Sequence, residues 1–419
     1  MSSSDTDSEG FFGSRKKKND KYKCAIGVNI NKCATVSNEP EDPTTIALNT
    51  LAYLREIILS GQWSNAAELL ALLKRTGKIL LGNSFENVPV HNAIQRIIKI
   101  VKDVIANIDP KANPSQKQHQ MMIDVDESAA DLSFIARGEL IDGVMEGFND
   151  LDDDIKSQHG SIACSSLNFI HSDELILTVG YSKLVLDFLK YAASKNRQFR
   201  VIVCEGFPDN GGHKMANELA SDDISVILAP DSHVFALMAR VNKVILSCYV
   251  VYPDGALKAP TGSEATMLAA QRFSVPIYVC LPSILISPLN LQMLPGCSNA
   301  LNVHAECYPG SLKDSSDIVD LSLNGLGPTY KMLPPSVSSK CNRDPPPQVH
   351  LPTWDYIKPG LATLFLTSDN GEAPSYLYAL VRDLFSLPET NESLTWFEDY
   401  DTEESRPSHF TITTAEAAK

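Results

Sequence analysis

The stretch HSDELILTVGYSKLVLDFLK, residues 171–190, decides the fold of this 419-residue chain. Its apolar run, 175–179, ends at Gly180, and an amphipathic helical pattern then continues to about residue 194. A short apolar run, a tight turn and a helix form the first half of a βαβ unit. The pattern therefore predicts a strand that leads into a helix lying across one face of a parallel sheet.

The same unit recurs further along the chain. Strands are predicted at 199–204, 225–228, 243–247, 276–280 and 361–366, and helices at 215–219, 232–238, 264–273 and 375–385. Strands that alternate with helices at this spacing predict a Rossmann-like, doubly wound and mostly parallel sheet. Because the strands are almost continuously apolar, we expect helices to cover both faces of the sheet.

Helical patterns precede this α/β region. Leu51, Leu54 and Ile58 recur at helical spacing, and another amphipathic pattern runs from Ile94 to Ile108. The residues after 276–280 are rich in Pro, Ser, Asn and Gly, which predicts an extended surface insertion. The predicted organisation is a disordered tail (1–42), an all-α N-terminal helical domain (43–170), a Rossmann-like α/β domain (171–386) with an insertion (283–352), and an acidic disordered tail (387–419).

Composition excludes several classes of protein. The net charge of −15 argues against a nucleic-acid-binding protein with a broad basic surface. The nine cysteines are scattered without a CxxC pair, so we expect neither a disulfide framework nor a zinc cluster. Free cysteines of this kind indicate a reducing compartment. No apolar run reaches the roughly 18 residues of a membrane span, and the start MSSSDTDSEG does not resemble a signal peptide. We expect a cytoplasmic (cytosolic) protein.

Chemistry is expected beyond the carboxyl ends of the strands, where ligands of open α/β sheets bind. Gly180 and Ser182 form either a phosphate cradle or a capped turn, and no GxGxxG or GxxxxGK[ST] segment supports a nucleotide site. Cys204 with His213 is either a thiol nucleophile with its base or a buried, inert thiol beside an unrelated histidine. Glu205 is the best single acid. None of these residues defines a reaction, and no metal or cofactor is predicted.

A second stretch, RVNKVILSCYVVYPDGALKAPTGS at residues 240–263, has the layout of a catalytic loop. A strand is followed by a Pro-Asp-Gly turn and by small residues that lead into a helix. Between residues 257 and 263, however, Lys258 is the only ionisable side chain. The layout of a catalytic loop is therefore present while most of the chemistry is missing.

Four segments resemble a known protein family. They are GQWSNAAELLALLKRTGKIL, HSDELILTVGYSKLVLDFLK, the 240–263 stretch and WDYIKPGLATLFLTSDNGEAPSYLYAL. They are similar to the family formed by the alpha, beta and delta regulatory subunits of eukaryotic translation initiation factor 2B and by sugar-phosphate isomerases such as methylthioribose-1-phosphate isomerase. The Trp-Ser-Asn-Ala and Arg-Val-Asn-Lys-Val segments resemble the beta type. The resemblance covers about residues 44–386 apart from the insertion.

This resemblance implies that the isomerase chemistry has been lost. The catalytic Cys of the isomerases matches Gly180, their catalytic Asp matches Asn242, their phosphate-binding Arg matches Phe207, and their Asn-Lys pair matches Ala259 and Pro260. Proton transfer on a sugar phosphate needs an acid, a base and anion ligands. The resemblance therefore implies a protein that is not an enzyme, and the alternative is a sugar-phosphate isomerase or a sugar-phosphate-sensing relative that uses the same crevice.

The resemblance also implies a role and partners. The role is that of a non-catalytic regulatory subunit of the guanine-nucleotide exchange factor complex that recharges translation initiation factor 2 with GTP. The implied partners are the alpha, delta, gamma and epsilon subunits, in a two-fold symmetric decamer, together with translation initiation factor 2. The regulatory core senses phosphorylation of that factor's alpha subunit during the integrated stress response, and a phosphate adds charge enough to switch a docking contact. Direct nucleic-acid contact is not implied.

Two contact regions follow from the resemblance. A regulatory pocket at the junction with the delta subunit matches Asp173, Leu175, Arg200 and Ile202, and Asp173 and Arg200 either face the partner or pair with each other. A turn and helix start at the pseudo-dimer contact match Asn370, Gly371, Ala373, Pro374, Ser375 and Tyr376. For Leu175 and Ile202 the alternative is ordinary sheet core, and for Ser375 it is helix capping.

Overall fold

The structure is a computed structural model that describes residues 42–60, 63–81, 88–108, 137–207, 209–289, 354–368 and 370–385. The predicted N-terminal tail up to residue 41, most of the predicted insertion and the predicted C-terminal tail lie outside the described residues. No helix among the residues described is long and apolar enough to span a membrane.

Helices form the first layer of the described chain: α1 (Pro43–Ser60), α2 (Ala66–Leu81), α3 (Val88–Ile108) and α4 (Arg137–Phe169). Their apolar stripes bury leucine and isoleucine side chains such as Leu54, Leu73 and Ile97, all fully enclosed. Helices α3 and α4 approach closely because Gly147 lacks a side chain where it meets Ile100. The predicted all-α first half is therefore observed wherever it is described.

The second layer is a sheet of seven strands. In chain order they are β1 (Glu174–Val179), β2 (Phe199–Cys204), β3 (Ser225–Ala229), β4 (Lys243–Ser247), β7 (Ile277–Cys280), β9 (Leu364–Thr367) and β10 (Asn370–Glu372), and in space the order is β10-β9-β7-β4-β1-β2-β3. All neighbouring pairs are parallel except β9 and β10, which are antiparallel. The predicted mostly parallel, doubly wound sheet is confirmed.

Helices lie between the strands along the chain: α5 (Lys183–Ser194), α6 (Gly211–Ala220), α7 (Val234–Met238) and α8 (Ser263–Arg272). A further helix, α9 (Leu377–Leu384), follows β10. One core cluster joins the β1–β2 face to α5, through side chains such as Ile176, Val201 and Phe188. Ser182 accepts a hydrogen bond from the Val185 amide (3.5 Å), so it caps α5.

A small three-stranded antiparallel sheet was not expected from the sequence. It consists of β5 (Val250–Val251), β6 (Leu257–Pro260) and β8 (Trp354–Ile357), in the order β5-β6-β8. The segment before the Gly262 turn is thus a strand rather than a loop. The strand is short, and its partner β8 lies almost a hundred residues away along the chain, so no local pattern reveals the pairing.

Two further regions differ from the sequence prediction. The edge strand β3 is not covered on both faces, because Ile227 and Leu228 are 43% and 42% exposed. Residues 283–289, predicted as the start of a surface insertion, pack into the core instead, with Ile284 and Ile286 buried. This short apolar segment was not predicted because the rest of the insertion is polar in composition. The Asn92 side-chain amide holds the segment in place by donating a hydrogen bond to the Ile284 carbonyl (3.0 Å).

Candidate functional site

The crevice at the carboxyl ends of the strands is built on two glycine turns. Gly180 and Gly206 both have positive φ values, +64° and +68°, which favour glycine. A Cβ on Gly206 would lie 2.9 Å from the Gly180 Cα, so the two turns touch backbone to backbone. This close approach, and the capping by Ser182, favour a capped turn over a phosphate cradle.

Asp231 closes the second turn from the next strand. Its carboxylate accepts hydrogen bonds from the Gly206 amide (3.0 Å) and the Phe207 amide (2.8 Å). The Phe207 side chain, 43% exposed, offers neither charge nor hydrogen bond at the place where the resemblance implies an arginine in the isomerases. The amides that an anion would use here are thus already bonded to a carboxylate of the chain itself.

Asp355 plays the same part at the start of α8. It extends from β8 and accepts hydrogen bonds from the Gly262 amide (2.8 Å) and the Glu264 amide (3.1 Å). Burial raises the pKa of Asp355, while the backbone hydrogen bonds at this helix start lower it. The helix N-terminus therefore holds an internal carboxylate as its cap.

Lys258 is enclosed by aromatic rings. Its side chain is 1% exposed, and its Nζ lies 4.9 Å from the ring centre of Tyr249, 5.4 Å from Trp354 and 5.8 Å from Tyr356. Rings at these distances attract a cation through their negative faces. The single ionisable side chain between residues 257 and 263 thus holds the small sheet together, and sequence spacing alone did not reveal this role.

Burial and distance distinguish the alternatives for Cys204 and His213. Burial raises the pKa of the Cys204 thiol to about 12, and the nearby Asp231 and Glu205 charges add to the shift. The thiol is therefore not a thiolate at neutral pH and is inert as a nucleophile. His213 lies near Glu205 instead, with 3.9 Å between the His213 Nε2 and a Glu205 carboxylate oxygen.

Asn242 does not lie in this crevice, and the interpretation that placed it there is wrong. It precedes β4, and its backbone N–H donates to the Leu175 carbonyl (2.9 Å) while its Oδ1 accepts from the Leu175 amide (2.8 Å). Leu175 lies at the amino end of β1, five residues before Gly180, which in a strand is on the order of 16 Å. The residues that follow β4 at the crevice are Cys248 and Tyr249, and neither is a carboxylate.

The remaining matched positions do reach the crevice side. Ala259 is buried in β6 and Pro260 ends that strand, just before Gly262. A Cβ on Gly262 would lie 3.6 Å from a Val179 methyl group and 3.8 Å from the Asp231 carboxylate carbon, so this turn packs against the end of β1. The structure therefore brings together Gly180, Phe207 and the Ala259–Pro260 segment, without a thiol, an ammonium or a guanidinium at any of them.

Three of the four positions expected at a regulatory pocket, Asp173, Leu175 and Arg200, lie at the amino ends of β1 and β2, and Ile202 lies in the middle of β2. Leu175 and Ile202 are buried, at 8% and 1% exposure, while Asp173 and Arg200 are exposed. Register pairs Leu175 with Arg200, so these two lie side by side on one face. Among the residues described, no ion pair joins Asp173 to Arg200. Asp173 instead adopts a turn conformation with φ of 64°.

The turn at 370–376 lies at the opposite edge of the sheet. Asn370 and Gly371 belong to β10, and a Cβ on Gly371 would meet the Phe169 ring at 3.0 Å. Ala373 and Pro374 lead into a 3₁₀ turn, and Ser375 and Tyr376 are exposed there. Ser375 does not cap α9, because that helix start has no side-chain cap.

The fold and these contacts define a class of protein before any comparison. It is a doubly wound α/β protein with an N-terminal helical layer, in which the polar side chains around the crevice mostly serve the fold. The chain belongs to the Initiation factor 2 subunit family, whose model matches residues 41–295.

Known relatives agree with this membership. The chain is 28% identical over 400 residues to "Translation initiation factor eIF2B subunit beta" of Schizosaccharomyces pombe, an alignment of 84% of this chain and 94% of the relative. It is also 28% identical to the protein of the same name in Dictyostelium discoideum, with 79% and 88% covered. A solved structure, the tetrameric eIF2B-beta2-delta2 complex from C. thermophilum, is similar with a TM-score of 0.56 and 21% identity, over 82% of this chain and 90% of that one.

Proposed function

We propose that the chain is a non-catalytic, beta-type regulatory subunit of the guanine-nucleotide exchange factor complex that recharges translation initiation factor 2 with GTP. Family membership supports this proposal, and so do the beta subunits named among its relatives. The assembly works in the cytosol, with the alpha, delta, gamma and epsilon subunits as partners and with translation initiation factor 2 as its target.

The observation that carries the non-catalytic part is the state of the crevice. Proton transfer on a sugar requires an acid and a base within hydrogen-bond reach of the substrate. The position matched to a thiol is Gly180, the residues after β4 are Cys248 and Tyr249, and the nearby Cys204 thiol is buried and protonated. Burial also raises the pKa of the Cys248 thiol to about 12. A protein built this way functions through its surfaces.

Two surfaces fit partner subunits. One is the amino end of β1 and β2, where exposed Arg200 stands on an otherwise buried strand beside the exposed edge of β3. The other is the turn at 370–376, where Tyr376 is 44% exposed. Subunits that bury such patches on assembly expose them when alone. The phosphorylated alpha subunit of translation initiation factor 2 is proposed to act on the assembled core rather than on this chain alone.

Affinity purification of the tagged chain from its own cells, followed by native mass spectrometry, tests the proposal. The expected product is a two-fold symmetric decamer that contains gamma- and epsilon-type chains, and it exchanges GDP for GTP on translation initiation factor 2. A lone homodimer would contradict the proposal. In that case, turnover of a sugar phosphate by the homodimer would support the isomerase instead.

A further inference from the structure

A cleft in the helical layer lies apart from the crevice and from both proposed contact surfaces. It measures about 390 Å³ and lies between α3, α4 and the end of α9. Its lining includes Arg96, Ile100, Asp150, Leu151, Asp154 and Leu384. The lining also holds Lys99, Asp103 and Asp383, so two cations, four carboxylates and three large apolar side chains meet in one open concave surface. This surface is more highly charged than the usual site for a small organic molecule, which favours a ligand that is itself charged.

Arg96 is the unusual member of this lining. Its side chain is buried, with 8% exposure, yet no ion pair to it exists among the described residues, and its Nη1 has no hydrogen-bond partner. Its Nη2 makes one long hydrogen bond, 3.4 Å, to the Ser283 hydroxyl, and the Phe385 ring lies 6.0 Å away. Burial lowers the pKa of Arg96 to about 10, and the charge of Asp154 only partly offsets this. Buried guanidinium groups are normally paired with an anion, so an acceptor is missing here.

The rim of the cleft has the opposite character. Asp150 and Asp154 stand one helical turn apart on the same side of α4, and both are exposed. The Asp154 carboxylate accepts a hydrogen bond from Gln158 (2.9 Å), whereas Asp150 makes no hydrogen bond or ion pair among the residues described. The Lys99 ammonium, also in the lining, donates to the Asp383 carbonyl, so it is already engaged. These rim carboxylates would repel a simple anion but would bind an ammonium group.

A molecule that pairs with both the Arg96 guanidinium and the rim carboxylates must carry an anionic group and an ammonium group close together. The wall between them is apolar, formed by Ile100, Leu151 and Leu384. We propose that this cleft binds a free α-amino acid with an apolar side chain. Its carboxylate pairs with Arg96, its ammonium lies between Asp150 and Asp154, and its side chain packs on the apolar wall. This inference does not depend on the proposed function.

Calorimetric titration of the purified full chain with L-leucine tests the proposal. We expect saturable binding, and at least tenfold weaker binding of 3-methylbutylamine, which lacks the carboxylate, and of 4-methylpentanoate, which lacks the ammonium. Equal binding of the amine alone would overturn the proposal, because it would make the cleft a simple cation site. Absence of saturable binding by any of the three compounds would also overturn it.

Two substitutions locate the binding. Asp150→Asn removes an exposed rim carboxylate and should weaken L-leucine binding about tenfold without changing the fold, since exposed substitutions rarely affect stability. Asp153→Asn, on the same helix but outside the cleft lining, is the matched control and should bind like the unmodified chain. Equal binding by both variants would place the amino acid elsewhere and refute the assignment. The assembly experiment above is unaffected by either result.

Discussion

At the scale of single residues, the polar side chains near the crevice act on the chain's own backbone. Asp231 and Asp355 each accept two backbone amides at the start of a turn or helix, and Asn242 joins β1 to β4. A buried amide donor left unpaired costs about 1–3 kcal/mol, so these contacts have a structural reason that needs no substrate. Residue type alone does not separate such a role from catalysis.

His91 gives a prediction at this scale. It lies fully buried in α3, and burial lowers its pKa to about 4. In the unfolded chain an ordinary histidine has a pKa near 6.5. Between that pH and pH 4 the histidine is therefore protonated in the unfolded state and neutral in the folded state, which favours unfolding. The free energy of unfolding should therefore fall by about 3 kcal/mol between pH 6.5 and pH 4 because of this residue, at roughly 1.4 kcal/mol for each pH unit.

Urea unfolding at a series of pH values checks this prediction. Carboxylates also contribute to acid sensitivity, so the informative quantity is the difference between the unmodified chain and His91→Gln. That difference should change by about 3 kcal/mol across the window, because a glutamine side chain cannot titrate. His171→Gln, at an exposed position just before β1, makes the same change of side chain outside the core and controls for the substitution itself. Parallel curves for His91→Gln and the unmodified chain would refute the assignment.

Sequence reasoning succeeded and failed at this scale for identifiable reasons. The turn at Gly180 and the cap at Ser182 follow from local chemistry, and both are present. Asn242 was misplaced because the match by motif conflicts with the strand prediction. The predicted strand at 243–247 has the bounds that the structure shows for β4, Lys243–Ser247, and these bounds put Asn242 at the amino end. The aromatic cage of Lys258 depends on Trp354 and Tyr356, which are distant in sequence.

At the scale of elements, apolar periodicity located most of the helices and strands that the structure describes. Strand β2 has the bounds that the sequence predicts, Phe199–Cys204, because a continuous apolar run between turn residues leaves one interpretation. The small sheet was missed because β6, Leu257–Pro260, is too short for its alternation to stand out and depends on β8 across the insertion. The close contact of α3 with α4 was also invisible, since glycine in a helix weakens the local signal.

That helix contact yields a matched pair of substitutions in α4. A Cβ on Gly147 would lie 2.5 Å from the Ile100 Cγ2, which is too close for any real contact, whereas a Cβ on Gly160 meets nothing within 4 Å. Alanine favours a helix interior over glycine by about 1 kcal/mol. Gly160→Ala should therefore raise the free energy of unfolding by up to about 1 kcal/mol. Gly147→Ala should lower it by about 1–2 kcal/mol, because overpacking outweighs the propensity gain.

Urea unfolding of the two variants at neutral pH measures both effects with one method. Each variant adds the same methyl group to the same helix, so the comparison isolates the contact with α3. If Gly147→Ala were as stable as Gly160→Ala, the helices would have to separate without loss of packing, and the close approach would not contribute to stability. The Gly147 variant should also unfold with an unchanged slope against urea, since the amount of surface exposed on unfolding is the same.

At the scale of the whole molecule, one edge of the sheet is left incomplete. Strand β3 pairs only with β2 among the described strands, and its Ile227 and Leu228 are about two-fifths exposed. Phe235 of α7 and Phe273, which follows α8, are also exposed, and their ring centres lie 5.2 Å apart. An apolar sheet edge that is open to water invites pairing with another chain. This arrangement suits a subunit that completes its surface in an assembly, which is consistent with the proposed function.

Arg200 provides the test of that view. It is the exposed residue of β2, and register places it beside Ser225 of the edge strand, on the same face as Ile202 and Ile227. Arg200→Glu should leave the melting temperature of the isolated chain almost unchanged, since substitutions on the surface usually alter stability by less than about 0.5 kcal/mol. Reversing the charge should nevertheless reduce recovery of partner subunits in a pull-down by about tenfold or more, because an attraction between opposite charges at an interface becomes a repulsion.

Arg55→Glu makes the same change of charge at an exposed position of α1, away from the sheet edge, and should recover partners as the unmodified chain does. The two variants are best compared in cells that express the tagged chain at equal levels, with partner subunits quantified by mass spectrometry. Loss of partners with Arg200→Glu alone assigns the amino ends of β1 and β2 to an interface. Equal recovery by both variants would exclude that surface and direct attention to the turn at 370–376 at the other edge of the sheet.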